Sequence, residues 1–229
     1  MEYVYAARNA EEFERYKSFS ERIGKVIDKF VDHLKTAYGV FDLPRCIVFA
    51  DEVTATRLIS DVPVPAYTND FRIVFTPDLE VWRRIYLSQT KDETVTNYYN
   101  TKLNERHLLQ IIGHEIAHHI DMFSDEAYEN GGAWFEEGAV EYISRKYFLS
   151  DAEFEECAEN DKRLVALFES SRSPRPLGVF GGTDDFATIF YDYARAFHII
   201  SEAVRRHGDI KSVIQKFADC PDASIPSAR

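Results

Sequence analysis

This sequence predicts an α+β fold: a small N-terminal sheet plus helices over residues 1–104, a helical part over 105–219 and a tail at 220–229, within one compact domain. Three observations predict it. Strand-type runs such as Cys46-Ile47-Val48-Phe49-Ala50 fall within the first 75 residues. From residue 105 onward apolar residues recur at helical spacing. The chain has 229 residues, 45% of them apolar, enough to bury a sizeable core.

Taken in order, residues 2–7 alternate as a short strand, and Asn9 with Glu12 forms a capping-box-like start to a helix reaching Ala37. Phe13, Tyr16, Phe19, Ile23, Val26, Ile27, Phe30 and Leu34 keep helical spacing along it. A turn through Gly39 and Pro44 leads to the strand at 46–50 and a short helix from Asp51. Residues 60–70, SDVPVPAYTND, read as loop, and 71–75 as a strand. Pro77 and Asp78 open a helix through Tyr86, followed by the polar run SQTKDETVTNYYN at 88–100. Helices are predicted at 133–148, 151–170, 186–207 and 209–219, with a Pro/Gly loop at 171–185 that is either a lid or a connector.

Lys plus Arg total 27 and Asp plus Glu 39, a net charge of −12 that repels phosphate backbones and anionic lipid heads, so neither nucleic acid nor membrane is expected as a partner. Cys46, Cys157 and Cys220 are far apart and lack CxxC spacing, which does not indicate a disulfide framework. The amino terminus has no apolar h-region, and no run approaches eighteen apolar residues. A cytoplasmic protein is expected, with export behind a removed signal peptide left open, and a monomer is favoured.

The chemistry concentrates in residues 110–121, QIIGHEIAHHID. His114 and His118 are four apart on a predicted helix, so both imidazoles can face one metal ion, and Glu115 lies one step round the helix where a carboxylate can reach water on that metal. Leu108, Leu109, Ile112, Ile116 and Ile120 form a separate stripe, which predicts a core face and a distinct histidine face. His119 points away from the pair and reads as a flanking residue. His107 shares their face two turns earlier, lining a cleft or meeting solvent.

A zinc site normally takes three or more protein ligands. The metzincin pattern HExxHxxGxxH requires glycine at position 121 and histidine at 124, where the chain has Asp121 and Ser124. Further on, Trp134-Phe135-Glu136-Glu137-Gly138-Ala139 places Glu137 eighteen intervening residues after His118. Here the chain resembles the gluzincin metallopeptidases, and more closely the M1 aminopeptidase-like catalytic module, with its HExxH-x18-E pattern. Glu136 misses both the spacing and the place before Gly138.

The resemblance implies a two-lobed, zincin-like metallopeptidase domain holding one Zn2+ on His114, His118 and Glu137. It implies peptide hydrolysis by zinc-activated water with Glu115 as general base. Glu141, one turn beyond Glu137, becomes a candidate acceptor for the free N–H of His114, or else a solvated helix-face charge. The family's oxyanion donor is a downstream tyrosine, which matches Tyr193 with Gly208 fifteen residues on; Ala196 replaces the usual glycine, and Tyr191 and His198 remain alternatives. Residues 71–75 would be a peptide-binding edge or an interior strand.

No G-x-M-E-N segment, which holds the substrate's amino terminus in M1 aminopeptidases, occurs between residues 60 and 110. An endopeptidase-like enzyme acting on a peptide or protein substrate is therefore favoured over an aminopeptidase. The alternatives are a zinc-binding regulatory or interaction module with little turnover, and a zinc hydrolase of non-peptide amide bonds.

Overall fold

The computed structural model of the protein describes residues 1–40, 42–59, 63–183 and 185–218, so Cys220 and the 220–229 tail lie outside the described residues. In chain order the elements are β1 (Glu2–Ala6), α1 (Ala10–Ala37), β2 (Cys46–Ala50), a π-helical stretch at Thr54–Ile59, β3 (Ala66–Thr68), β4 (Arg72–Phe75), α2 (Leu79–Leu87), α3 (Glu93–Thr101) and α4 (Glu105–Ala117). The single turn α5 (Asp125–Ala127) and a π-helical turn at Tyr128–Gly132 follow, then α6 (Ala133–Phe148), α7 (Asp151–Ser171), a 3₁₀ turn at Leu177–Val179, α8 (Phe186–His207) and α9 (Ile210–Phe217). The fold is mixed α+β with one small four-stranded sheet. Among the described residues, no helix is long and apolar enough to cross a membrane.

Backbone contacts group the chain into two units, Met1–Trp82 with Asn104–Asp121, and Arg83–Leu103 with Met122–Arg229. The grouping differs from a break at residue 104. Helix α4 goes with the sheet because it packs on α1, β3 and β4, and α3 goes with the later helices because it packs on α7.

In the first unit the sheet runs β1-β2-β4-β3, with β1, β2 and β4 parallel and β3 antiparallel at one edge. Register pairs Phe49 with Phe75 and Val48 with Val74, so alternate residues build two faces. On one, Phe19 of α1 meets Phe49 edge-on and stacks on Phe75, which stacks on Trp82. On the other, Val48, Ala50 and Val74 bury against Ala55 of the π-helical stretch. Covering both faces suits a largely parallel sheet.

Helix α1 begins as its sequence indicates, with the Asn9 side chain accepting from the backbone N–H of Glu12 at 2.9 Å. The Glu12 carboxylate turns instead to the backbone N–H and guanidinium of Arg8. Phe13 and Val26 stay exposed although they belong to the predicted stripe.

Two segments read without regular structure each contain a regular element. The 60–70 stretch contains β3, a strand too short to register as a periodic pattern. The polar run at 88–100 contains most of α3, capped by Asp92, whose side chain accepts from the backbone N–H groups of Thr94 and Val95. Its Thr, Asn and Tyr content gives weak helix propensity. Tertiary contacts hold it: Tyr99 stacks on Tyr86 at 4.7 Å, and Arg163 of α7 pairs with Asp92 at 2.6 Å.

In the second unit, α6 and α8 pack most intimately. A Cβ on Gly138 would lie 2.7 Å from the carbonyl oxygen of Ala196 and 2.8 Å from Ile200 Cγ1. Only a residue without a side chain allows the two backbones to approach this far. Gly138→Ala is therefore expected to destabilise by about 1–3 kcal/mol through overpacking, read as a lower urea midpoint with unchanged slope.

Candidate metal centre

Helix α4 presents no solvated histidine face. His107, Leu108 and every residue from Gln110 to Ala117 are buried, including His114 and Glu115. His107 neither faces solvent nor points to the metal group: its Nδ1 accepts from the backbone N–H of Asn104 at 3.3 Å, closing a capping box.

His118 is the C-cap, with φ −59° and ψ −20°, so its helical spacing from His114 is kept. The chain then tightens, with the N–H of His119 donating to the carbonyl of Ile116 and that of Ile120 to Ala117. Three contacts anchor this end: Val40 bridges to Ile120, Asp121 N–H donates to the Gly39 carbonyl at 3.1 Å, and His119 Nε2 lies 2.7 Å from Thr68 Oγ1 on β3. His119 is thus a tether to the sheet edge rather than a bare flanking residue. Burial, and next the adjacent His118, depress its pKa.

The Nε2 atoms of His114 and His118 are 3.3 Å apart, with their rings inclined at 74°. Two nitrogens held about 2.0–2.1 Å from one tetrahedral zinc are roughly 3.3–3.4 Å apart. The same spacing suits a hydrogen bond between two imidazoles, but such a pair calls for no third donor. Here there is one: ligand atoms of His114, His118 and Glu137 all lie within 4.8 Å of one another. Two imidazoles and a carboxylate, with Glu115 also buried, make a donor set and an excess of negative charge that fit a divalent ion such as zinc.

Glu137 is buried on α6 between Trp134, Phe135, Ala139 and Val140, which form its packing face. Glu136 is only half-buried and is not in the ligand group. Glu141 is buried rather than solvated, and its Oε1 accepts from Arg145 Nε at 2.6 Å. Arg145 Nη1 in turn donates to Asp161 Oδ2 at 2.5 Å, and its guanidinium sits 4.2 Å above the Phe197 ring.

Of the three candidate oxyanion donors, all on α8, Tyr193 is half-buried with its ring edge-on to Phe180 at 5.0 Å. Tyr191 is otherwise engaged: it stacks on Phe168 at 4.0 Å and donates to Glu169 at 2.8 Å. His198 Nε2 is buried with no hydrogen-bond partner among the described residues, and burial lowers its pKa. Sequence reasoning missed two features of this unit, the Arg145–Asp161 pair and the hydroxyl of Tyr128, 3.5 Å from Glu137 Oε1. The only signal for the first was an arginine four residues after Glu141; nothing distinguished Tyr128 among thirteen tyrosines.

No family model, curated protein or solved structure matches the chain.

Proposed function

We propose that this chain is a zinc-dependent metallopeptidase of gluzincin type with a zincin-like fold, endopeptidase-like in preference to aminopeptidase. The observation that carries the reading is the convergence of ligand atoms from His114, His118 and Glu137, residues the sequence links by the HExxH-x18-E spacing. Bound zinc would supply Lewis-acid polarisation of a scissile carbonyl and a lowered pKa for water.

The remaining chemistry belongs to the chain's own side chains. Glu115, buried on α4, takes the proton from water as it attacks the carbonyl and delivers it to the leaving amine. The Tyr193 hydroxyl donates a hydrogen bond to the oxygen that gains negative charge. Substrate would lie along β3 and not along residues 71–75, because β4 is an interior strand paired on both sides and β3 is the edge. An edge strand offers unpaired backbone groups to an extended peptide. The Thr68–His119 contact ties that edge to the residue following a metal ligand.

Mass-spectrometric profiling of a diverse peptide library with the zinc-loaded protein tests the reading, with Glu115→Gln as control. Internal cuts that vanish in the variant are expected. A protein that holds zinc yet cuts no peptide would count against a peptidase and favour a zinc-dependent binding module or a hydrolase of non-peptide amides.

A further inference from the structure

The geometry points to Tyr128 as a positioning residue for Glu137: its phenol donates to the Glu137 carboxylate and holds it in the orientation that serves the metal. The inference rests on the reading of His114, His118 and Glu137 as a metal site. Tyr128 Oη lies 3.5 Å from Glu137 Oε1. Carboxylates that ligate metals are commonly fixed by such a second donor.

The contact depends on a special backbone. Tyr128 precedes Glu137 by nine residues, and on a continuous α-helix that separation is about 13.5 Å along the axis and half a turn round it. The two side chains could not then meet. They meet because the chain breaks at Asn130 (φ −85°, ψ 24°) and Gly131 (φ 93°, ψ 9°) before α6 begins. Gly131 occupies the left-handed region that glycine enters without steric penalty.

The turn is held on both sides. On its N-terminal side the Ser124 hydroxyl accepts from the N–H of Ala127, and Asn130 Nδ2 donates to the Glu126 carbonyl at 2.8 Å. Gly178 lies against Gly131: a Cβ added to Gly131 would be in ordinary van der Waals contact, 3.5 Å from the Gly178 Cα. The segment carrying Gly178 is itself fastened: Arg175 donates to the carbonyls of Val179 and Gly181 and to Asp192. Residues 175–181 therefore brace the turn that carries Tyr128.

The chemistry of the donor separates Glu137 from its neighbour. One turn along α6, Glu141 is met by the Arg145 guanidinium, a cation that neutralises it. Glu137 receives its hydrogen bond from a neutral phenol, which orients the carboxylate without adding a charge to it. At 3.5 Å the contact is at the outer limit of hydrogen bonding, so the expected effect lies at the lower end of the range for such partners, about tenfold.

The test uses the full chain with zinc and cobalt(II) as probes. Zinc affinity is measured by chelator competition, the cobalt ligand field by visible absorption, and the metal-free fold by thermal unfolding. Tyr128→Phe, which removes only the hydroxyl, is expected to bind zinc about tenfold more weakly and to alter the cobalt spectrum, with the metal-free unfolding midpoint unchanged. Gly131→Ala, which disturbs the turn and no donor, is expected to weaken zinc in the same direction. Wild-type affinity and spectrum in Tyr128→Phe would overturn the inference while leaving the metal site standing. So would weaker zinc binding that merely follows a lower metal-free midpoint with an unaltered cobalt spectrum. A wild-type protein that binds no zinc would overturn the metal reading and this inference together.

Discussion

Wild type and Glu115→Gln are both expected to hold one zinc per chain, while peptide turnover in the variant falls by about 10²–10⁴, the usual contribution of a general base. The substitution is nearly isosteric at a buried position and leaves His114, His118 and Glu137 unaltered in sequence. It removes the one capacity the proposed reaction asks of this residue, acceptance of a proton. Glu137→Ala is expected to differ in kind, losing zinc and turnover together, because Glu137 belongs to the ligand group. Metal analysis beside a peptide-cleavage assay separates the two cases. Wild-type turnover in Glu115→Gln would exclude it as the base, and full zinc occupancy in Glu137→Ala would exclude it as a ligand.

Arg145→Met is expected to cost about 3–5 kcal/mol of folding stability. Arg145, Glu141 and Asp161 are all buried, and one guanidinium serves both carboxylates. Burial opposes its charge, but the neighbouring anions, Asp161 foremost, outweigh that and hold its pKa well above the ordinary value. Removing it strands two carboxylates in a poorly solvated interior. Urea unfolding of Arg145→Met beside the triple change Arg145→Met, Glu141→Gln, Asp161→Asn checks the cause. The triple variant should recover much of the loss if stranded charge is responsible; equal losses would instead point to the packing of the guanidinium on Phe197.

Much of this architecture could be read directly from residue patterns. β2 at Cys46–Ala50, α6 at Ala133–Phe148 and α8 at Phe186–His207 match their predicted bounds, because runs of strand type and long amphipathic periods state their own structure. α3 could not be read, since a capped helix of threonines, asparagines and tyrosines is held by Tyr86 and Arg163 rather than by its own propensity. The choice between edge and interior strand for residues 71–75 stayed open in the sequence for a related reason: β4 looks like any apolar strand, and only pairing reveals that β3 lies outside it.

The candidate site divides in the same way. The sequence by itself determined the ligand residue types and their spacing: two histidines one helical turn apart, a glutamate at eighteen intervening residues, and a glycine after it that allows α6 to approach α8. These are local or motif-borne, so the chain carries them in one dimension. Only the tertiary structure decided that the histidine helix is buried throughout from Gln110 to Ala117, that His107 caps its own helix, and that Glu141 answers to Arg145 while Glu137 is met by Tyr128. Those outcomes depend on which groups are excluded from water together, and on a backbone break at Gly131 that moves a side chain across more than two helical turns. Helical spacing carries no record of either.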